Sequence, residues 1–400
     1  MPSSKSIGWS LGLLLGGLAP LGQQAQAFES QVSGKVGYEL RWFADDPQYA
    51  DQSGRTSQSL MFEPEIYWQW NNGDDSLVFK PFIRADQHDS ERSHADIREL
   101  LWTHVADEYE LRLGVGKVFW GVTEFQHLVD VVNQTDGVED IDGEDKLGQT
   151  MVALSLVRDW GVLDLMLLPG FRERSFAGVD GRLRGPLVVD TDKARYESGA
   201  ENRHIDAVIR WSHTLGDYDV GVYLFQGTNR DPLLIQQGSV LVPFYEQMTQ
   251  TGVDLQATLG DWLWKFEGIY RDSNSDHFGA VQAGFEYTYV GILDSAADLG
   301  LLMEYGWDSR GTDSAATAPD DLFLGSRLTL NDAQSTELLA GIGQSLEGRG
   351  HSLLLEASRR LGNAWKLSID GRIFSSSEPS APLYALRRDD MVQITLERFF

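Results

Sequence analysis

Val32-Ser-Gly-Lys-Val-Gly-Tyr-Glu-Leu-Arg-Trp42 is the stretch that decides the fold. Val32, Gly34, Val36, Tyr38, Leu40 and Trp42 alternate with Ser33, Lys35, Gly37, Glu39 and Arg41. A period of two belongs to a strand, because successive side chains point to opposite faces. The run outlasts a common globular strand. It matches the ~9–11 residues with which a tilted barrel strand crosses a bilayer, apolar toward lipid and polar toward the lumen.

The pattern returns along the chain. Leu60, Phe62, Ile66, Trp68 and Trp70 form the next apolar set, and Ile205, Ala207, Ile209 and Trp211 a later one. Leu353, Leu355 and Ala357, then Trp365, Leu367, Ile369 and Ile373, then Val392, Ile394, Leu396 and Phe400 close the series. About eighteen such sets can be counted, an even number as single-chain bacterial barrels require. The connections alternate. Asn71–Ser76, Ala106–Glu108 and Leu361–Ala364 are short, whereas Ala44–Thr56, Trp120–Gln149 and Pro169–Glu201 are long. Short periplasmic turns against longer outer loops are the asymmetry expected of a membrane barrel. Trp68, Trp70, Trp211, Tyr218, Trp262, Tyr289, Trp365 and Phe400 sit beside short turns, where an interfacial aromatic girdle belongs. The expected fold is therefore all-β: a transmembrane antiparallel β-barrel of about eighteen strands, forming a single domain over residues 28–400.

The N-terminus carries an export signal. Lys5, the apolar core Ile7–Leu21 and the small-residue site Ala25-Gln26-Ala27 read as a cleaved signal peptide over residues 1–27. There is no cysteine, so neither a disulfide framework nor a lipid-anchoring cysteine is expected. A net charge of −27 argues against nucleic acid as a partner. Composition alone would place such a chain among soluble exported proteins; the strand pattern overrides it and points to the Gram-negative outer membrane. The expected partners are then outer-membrane lipid and lipopolysaccharide, a small polar solute in the lumen, and the barrel assembly machinery, which would read a terminal strand ending in Phe400.

One stretch breaks the alternation. In Gly116–Lys146, Phe125, Leu128, Val129 and Val132 fall at i, i+3, i+4 and i+7. Thr123 with Gln126 makes a capping box. The spacing predicts a short helix over Thr123–Val132 in the third outer loop, folded over the pore because its apolar face must be buried. Trp120, Phe125, Asp130, Asn133, Asp136, Asp140 and Asp142 are its candidate constriction residues. From Glu124 to Asp145 it carries eight carboxylates. The fourth loop is basic, with Arg172, Arg174, Arg182 and Arg184, so the two loops are expected to dock; two separately solvated loops are the plain alternative. Asp140, Asp142 and Asp145, spaced around Gly143, are a candidate Ca²⁺ set, although the full EF-hand pattern is missing. No other cofactor is implied.

Inward strand positions carry both signs of charge. Glu39, Arg41, Arg84, Arg112, Arg210, Glu267, Arg271, Glu304, Arg327, Arg360 and Arg372 are candidate lumen residues. Such charges must be solvated or paired. Rings of them set selectivity in wet pores, whereas cross-strand pairs merely fix register. The mixture leaves cation or anion preference open. His94, Asp96 and His104 share a strand, but no G-x-S-x-G or H-E-x-x-H accompanies them, so no enzyme is expected.

Ile97-Arg-Glu-Leu-Leu-Trp102, Leu111-Arg-Leu-Gly-Val-Gly-Lys117, Trp120-Gly121 and Leu128-Val-Asp-Val-Val-Asn-Gln-Thr-Asp136 together resemble a proteobacterial outer-membrane barrel family of unknown function. That family shows a Trp-Gly-Glu motif and an Asp-x-x-Asn-Pro-x-Asp loop. Val122 and Gln134 depart from it at the Glu and Pro positions. Alginate-export barrels are a more distant likeness. The resemblance implies porin-like transport or traffic in hydrophobic or lipid-like compounds. The function expected is a porin-like channel for small polar or charged solutes, narrowed by the third loop. The alternative is a non-conducting barrel for lipid or hydrophobic-compound traffic or surface binding.

Overall fold

The computed structural model describes residues 28–311 and 320–400. The expected signal peptide, 1–27, lies outside the described residues. From the N-terminus the wall is built by β1 (Glu29–Phe43), β2 (Thr56–Trp70), β3 (Asp75–Asp86), β4 (Ala95–Val105), β5 (Tyr109–Gly116), β6 (Gln149–Arg158) and β7 (Gly161–Pro169). Four short strands follow in the outer loops or flank them: β8 (Val188–Val189), β9 (Arg195–Tyr196), β12 (Leu233–Gln237) and β13 (Val240–Tyr245). The wall resumes with β10 (Ile205–Leu215), β11 (Tyr218–Thr228), β14 (Gln247–Leu259), β15 (Trp262–Ser273), β16 (His277–Tyr289) and β17 (Asp298–Asp308). It ends with β18 (Asp320–Thr329), β19 (Glu337–Ser345), β20 (His351–Leu361), β21 (Trp365–Ser375) and β22 (Met391–Phe399).

Eighteen of these strands form one antiparallel sheet in chain order. Pairing of β1 with β22, from Lys35↔Phe399 to Phe43↔Met391, closes it into a barrel, so neither terminal strand is left as an edge. The alternation in the sequence is the alternation of faces. In β10, Ile205, Ala207 and Ile209 are exposed while Asp206, Val208 and Arg210 are buried. The outside is thus apolar and the inside polar, the reverse of a water-soluble protein. Trp42, Ile83, Leu167, Ile209, Trp264 and Leu301 are all exposed on it. An apolar belt of this extent is stable against hydrocarbon, not water.

The buried core lies inside the barrel. Val129, Val131 and Val132 of the third loop pack there with Met151, Met166, Leu168, Phe225 and Met248 of the wall. The small sheet of β8, β9, β12 and β13 lies in the outer loops, and no alternation in the sequence announced it.

One expectation is overturned: Thr123–Val132 forms no helix. Among the described residues the only helices are single 3-10 turns. The wall takes the donors at the head of the segment, which a helix leaves without an internal partner, and also that of Val129, which a helix would pair with the Phe125 carbonyl. Val122, Thr123 and Val129 donate their N–H groups to the Glu267 carboxylate, at 2.7, 3.0 and 3.1 Å. Glu124 and Phe125 donate theirs to Glu304, at 2.7 and 2.9 Å. Charge-assisted bonds of this kind are stronger than neutral amide pairs, so the loop follows the wall and not its own periodicity.

Candidate functional site

β5 stops at Gly116, and the chain then turns into the lumen as loop 3, residues 117–148, before β6 begins at Gln149. Its first half is fastened to one side of the barrel. Glu267 and Glu304, on β15 and β17, are fully buried beneath it. Thr123 adds its hydroxyl to Glu267 at 2.7 Å, and Phe125 stacks on Phe323 of β18 at 4.9 Å between centroids. Arg327 of β18 and Lys265 of β15 hold Glu124 at 2.7 and 3.4 Å. Trp120 lies over the Arg210 guanidinium at 4.8 Å, and Arg210 is itself paired with Asp254.

Two polar residues shape the loop from within. Asp130 accepts the N–H groups of Trp120 and Gly121, at 2.6 and 3.0 Å. Asn133 is buried and uses all of its amide: Oδ1 accepts from Val118, while Nδ2 donates to the carbonyls of Gly116 and Leu147, each at 2.9 Å. That clamps the loop's departure to its return.

The second half is fastened across the lumen. Asp136 pairs with Arg98 of β4 at 2.6 Å and accepts from Ser175 of loop 4 at 2.5 Å. Burial works against its charge, yet hydrogen bonds from His94 and Ser175 and the Arg98 guanidinium hold the carboxyl well below the usual range. Glu139 pairs with Arg84, Arg84 and Arg92 pair with Glu39, and Arg41 donates to the Glu139 carbonyl at 2.6 Å. This knot is buried and hydrogen-bonded throughout, as a stable internal charge network must be. His94, Asp136 and Glu139 bring donor atoms within 4.8 Å of one another. Both carboxylates, however, already have guanidinium partners.

Loop 3 also presents carboxylates to β20 and β21 of the wall. Asp142 and Asp140 converge on Arg372 of β21, at 2.8 and 3.8 Å, and Glu356 of β20 reaches the same guanidinium at 3.3 Å. Asp142 and Asp145 are exposed but ringed by protein. That enclosure, with Asp140 close to Asp142 and with Glu139 and Asp140 close to Asp145, pushes their carboxyls up to about 7 and about 6. Burial would lower the His127 imidazole, but the Glu144 carboxylate at 2.7 Å and the Glu267 carboxylate at 3.7 Å raise it to about 10.

The remaining sequence candidates fall in several places. Arg112 pairs with Glu110 at 3.2 Å, Arg271 reaches Asp231 in the outer loops at 2.9 Å, and Arg360 is exposed 5.7 Å from the Phe399 ring. Loops 3 and 4 do touch, through the Asp136–Ser175 contact and the Gln134 amide on the Arg172 carbonyl at 3.4 Å. The carboxylate partners of the loop 4 arginines lie elsewhere, Asp96 for Arg172, Asp389 for Arg182, Asp51 for Arg184 and Asp231 for Arg174, although Arg172 also donates to the Gly148 carbonyl of loop 3 at 3.2 Å. Arg230, from the loop after β11, was not singled out in the sequence; buried, it donates to the Val132 carbonyl at 2.8 Å. Nothing local marks it.

Known structures share this fold. OpdQ of Pseudomonas aeruginosa superimposes with a TM-score of 0.51 at 12% identity, over 93% of this chain and 97% of that one. A mutant of the Rhodopseudomonas blastica porin gives 0.46 at 10% identity, over 93% of this chain and all of the other. No family model and no curated protein matches the sequence. At such identities the likeness to OpdQ concerns architecture alone, the closed antiparallel barrel.

Proposed function

We propose that the chain is an outer-membrane channel for small polar or charged solutes, constricted by loop 3 and favouring cations. The observation that supports this most is the seating of loop 3: fastened to β15, β17 and β18 at one end and to β1, β3, β4 and β21 at the other, it crosses the lumen. A charged residue at a narrow, low-dielectric passage dominates which ions enter. Here Glu124, Asp140, Asp142 and Glu356 meet only Arg327, Lys265 and Arg372. Planar-bilayer recording tests the reading. Discrete steps and a reversal potential of cationic sign in a KCl gradient are expected; electrical silence of folded protein would overturn it.

A second reading is a non-conducting barrel that serves lipid or hydrophobic-compound traffic or surface binding. The many wall strands to which loop 3 is fastened favour it, and it requires that silence. In either case outer-membrane lipid and lipopolysaccharide surround the wall, and the assembly machinery engages Phe400. For Ca²⁺ to sit among Asp140, Asp142 and Asp145 it must displace Arg372 from Asp142, so the proposed function carries no bound cofactor.

A further inference from the structure

The wall has a notch beside the point where loop 3 enters the lumen. β4 runs from Ala95, but its pairing with β5 ends at Leu100↔Val115, so Ala95–Glu99 have no strand partner on that side. The β2–β3 ladder is interrupted nearby: pairing passes from Phe62↔Ile83 to Ile66↔Phe79 and skips Pro64 and Pro81. Proline removes a ladder donor, and β3 also shifts register against β4 at Lys80/Pro81. Only Gly148 fills the gap. A Cβ there would lie 2.5 Å from the Arg98 carbonyl oxygen, so the returning backbone is pressed against β4 with no side chain to seal the space outside it.

The notch is an open groove of about 510 Å³ on the wall. Ile83, Ile97, Val115 and Thr150 line it, and Arg172 from loop 4 stands at its mouth. Ile83 and Ile97 are exposed on the outer face of the barrel. Arg172 bridges Asp96 at 2.8 Å and the Gly148 carbonyl at 3.2 Å. Its side chain remains 35% exposed against 7% for Asp96, so the charge presented outward is positive. A hydrocarbon-facing recess with one accessible guanidinium at its outer rim matches an apolar tail with an anionic head.

We propose that this notch binds a free single-chain anionic amphiphile of the long-chain carboxylate class, its tail against Ile83, Ile97 and Val115 and its head on Arg172. The site opens on the outer face, so the proposal stands whether or not the lumen conducts.

Photolabelling of the full barrel in lipid nanodiscs tests it. The probe is a long-chain fatty acid with a diazirine near the tail end, and adducts are mapped by peptide mass spectrometry. The expected result is saturable labelling concentrated on the peptides bearing Ile83, Ile97 and Val115, competed by unlabelled oleate. Thr150→Trp fills the recess from the lipid side and should reduce labelling about tenfold. Arg172→Gln should weaken the acid but not its methyl ester, and Arg172→Lys should restore part of the loss. Retained heat-modifiable migration on gels confirms that each variant is folded. Labelling spread evenly around the belt, or unchanged in folded Thr150→Trp, would overturn the proposal. So would equal labelling by a diazirine phospholipid, which would make the notch a general lipid contact.

Discussion

At the scale of the residue, Glu267 organises the lumen. One buried carboxylate accepts three backbone N–H groups and a hydroxyl from loop 3. Hydrogen bonds to a charged acceptor contribute ~1.5–3 kcal/mol each, and a neutral amide offers only one oxygen. Glu267→Gln is therefore expected to raise hydrogen exchange at Val122–Val129 by about tenfold or more, because local opening becomes cheaper, and to make the open-channel current noisier. Unchanged exchange would mean that Glu304 and the apolar contacts suffice. Asp142 and Asp145 carry a second prediction. Their carboxyls, at about 7 and about 6 in the folded protein, take up protons at higher pH than a free carboxyl does. Their contribution thus favours the seated loop fully below the ordinary carboxyl range and loses that effect as pH rises through 6 to 7. Selectivity runs the other way: lowering pH from 8 to 5 removes up to two negative charges from the passage. Cation preference, read as reversal potential, should fall across that window. Asp142→Asn should flatten the change; an equally steep titration in that variant would exclude Asp142 as its source.

At the scale of the element, strands were legible and the loop was not. A strand's facing is a local property of alternate residues, so Val32–Trp42 shows it directly. β7 is apolar on both faces, and its facing became plain only with its neighbours β6 and β10 in place. Loop 3 obeyed partners 144 and 180 residues away in sequence, Glu267 and Glu304, which no local periodicity encodes. The helical spacing correctly marked Val129 and Val132 as residues needing burial. It could not say that wall carboxylates would satisfy the backbone. Likewise Glu39, Arg41 and Arg84 looked like lumen charges from their inward positions, and only their contacts with Glu139 and Arg92 show a buried knot. Replacing Thr123–Asp136 by a short Gly-Ser linker removes the bonds to Glu304 and all but that of Val122 to Glu267, while leaving the wall ladder untouched. Single-channel conductance is expected to rise several-fold. A variant that conducts like the parent would show that the loop does not limit the passage.

At the scale of the whole molecule, the fold depends on one seam between the first and last strands. Beyond the β1–β22 ladder, Phe400 donates to the Gly34 carbonyl and accepts from its N–H, both at 3.1 Å, and its ring stacks on Phe62 at 6.2 Å. Gly34 is required there: a Cβ would lie 2.6 Å from the Pro64 Cα and 2.9 Å from the Phe400 ring, at a φ of +157°. The seam and the proposed assembly signal would thus meet in one side chain, and the two roles can be separated. In Phe400→Ala the backbone bonds persist and only the ring is lost, at the periplasmic rim where Phe400 is 54% exposed. Purified protein refolded into detergent should keep its heat-modifiable migration, with the melting temperature lowered by only a few degrees, since removing a half-exposed ring sacrifices less apolar contact than a core truncation. In cells, the amount of folded barrel in the outer membrane should drop several-fold if Phe400 carries the proposed assembly signal. Equal losses in the cell and in detergent would reduce Phe400 to a stacking residue of the seam.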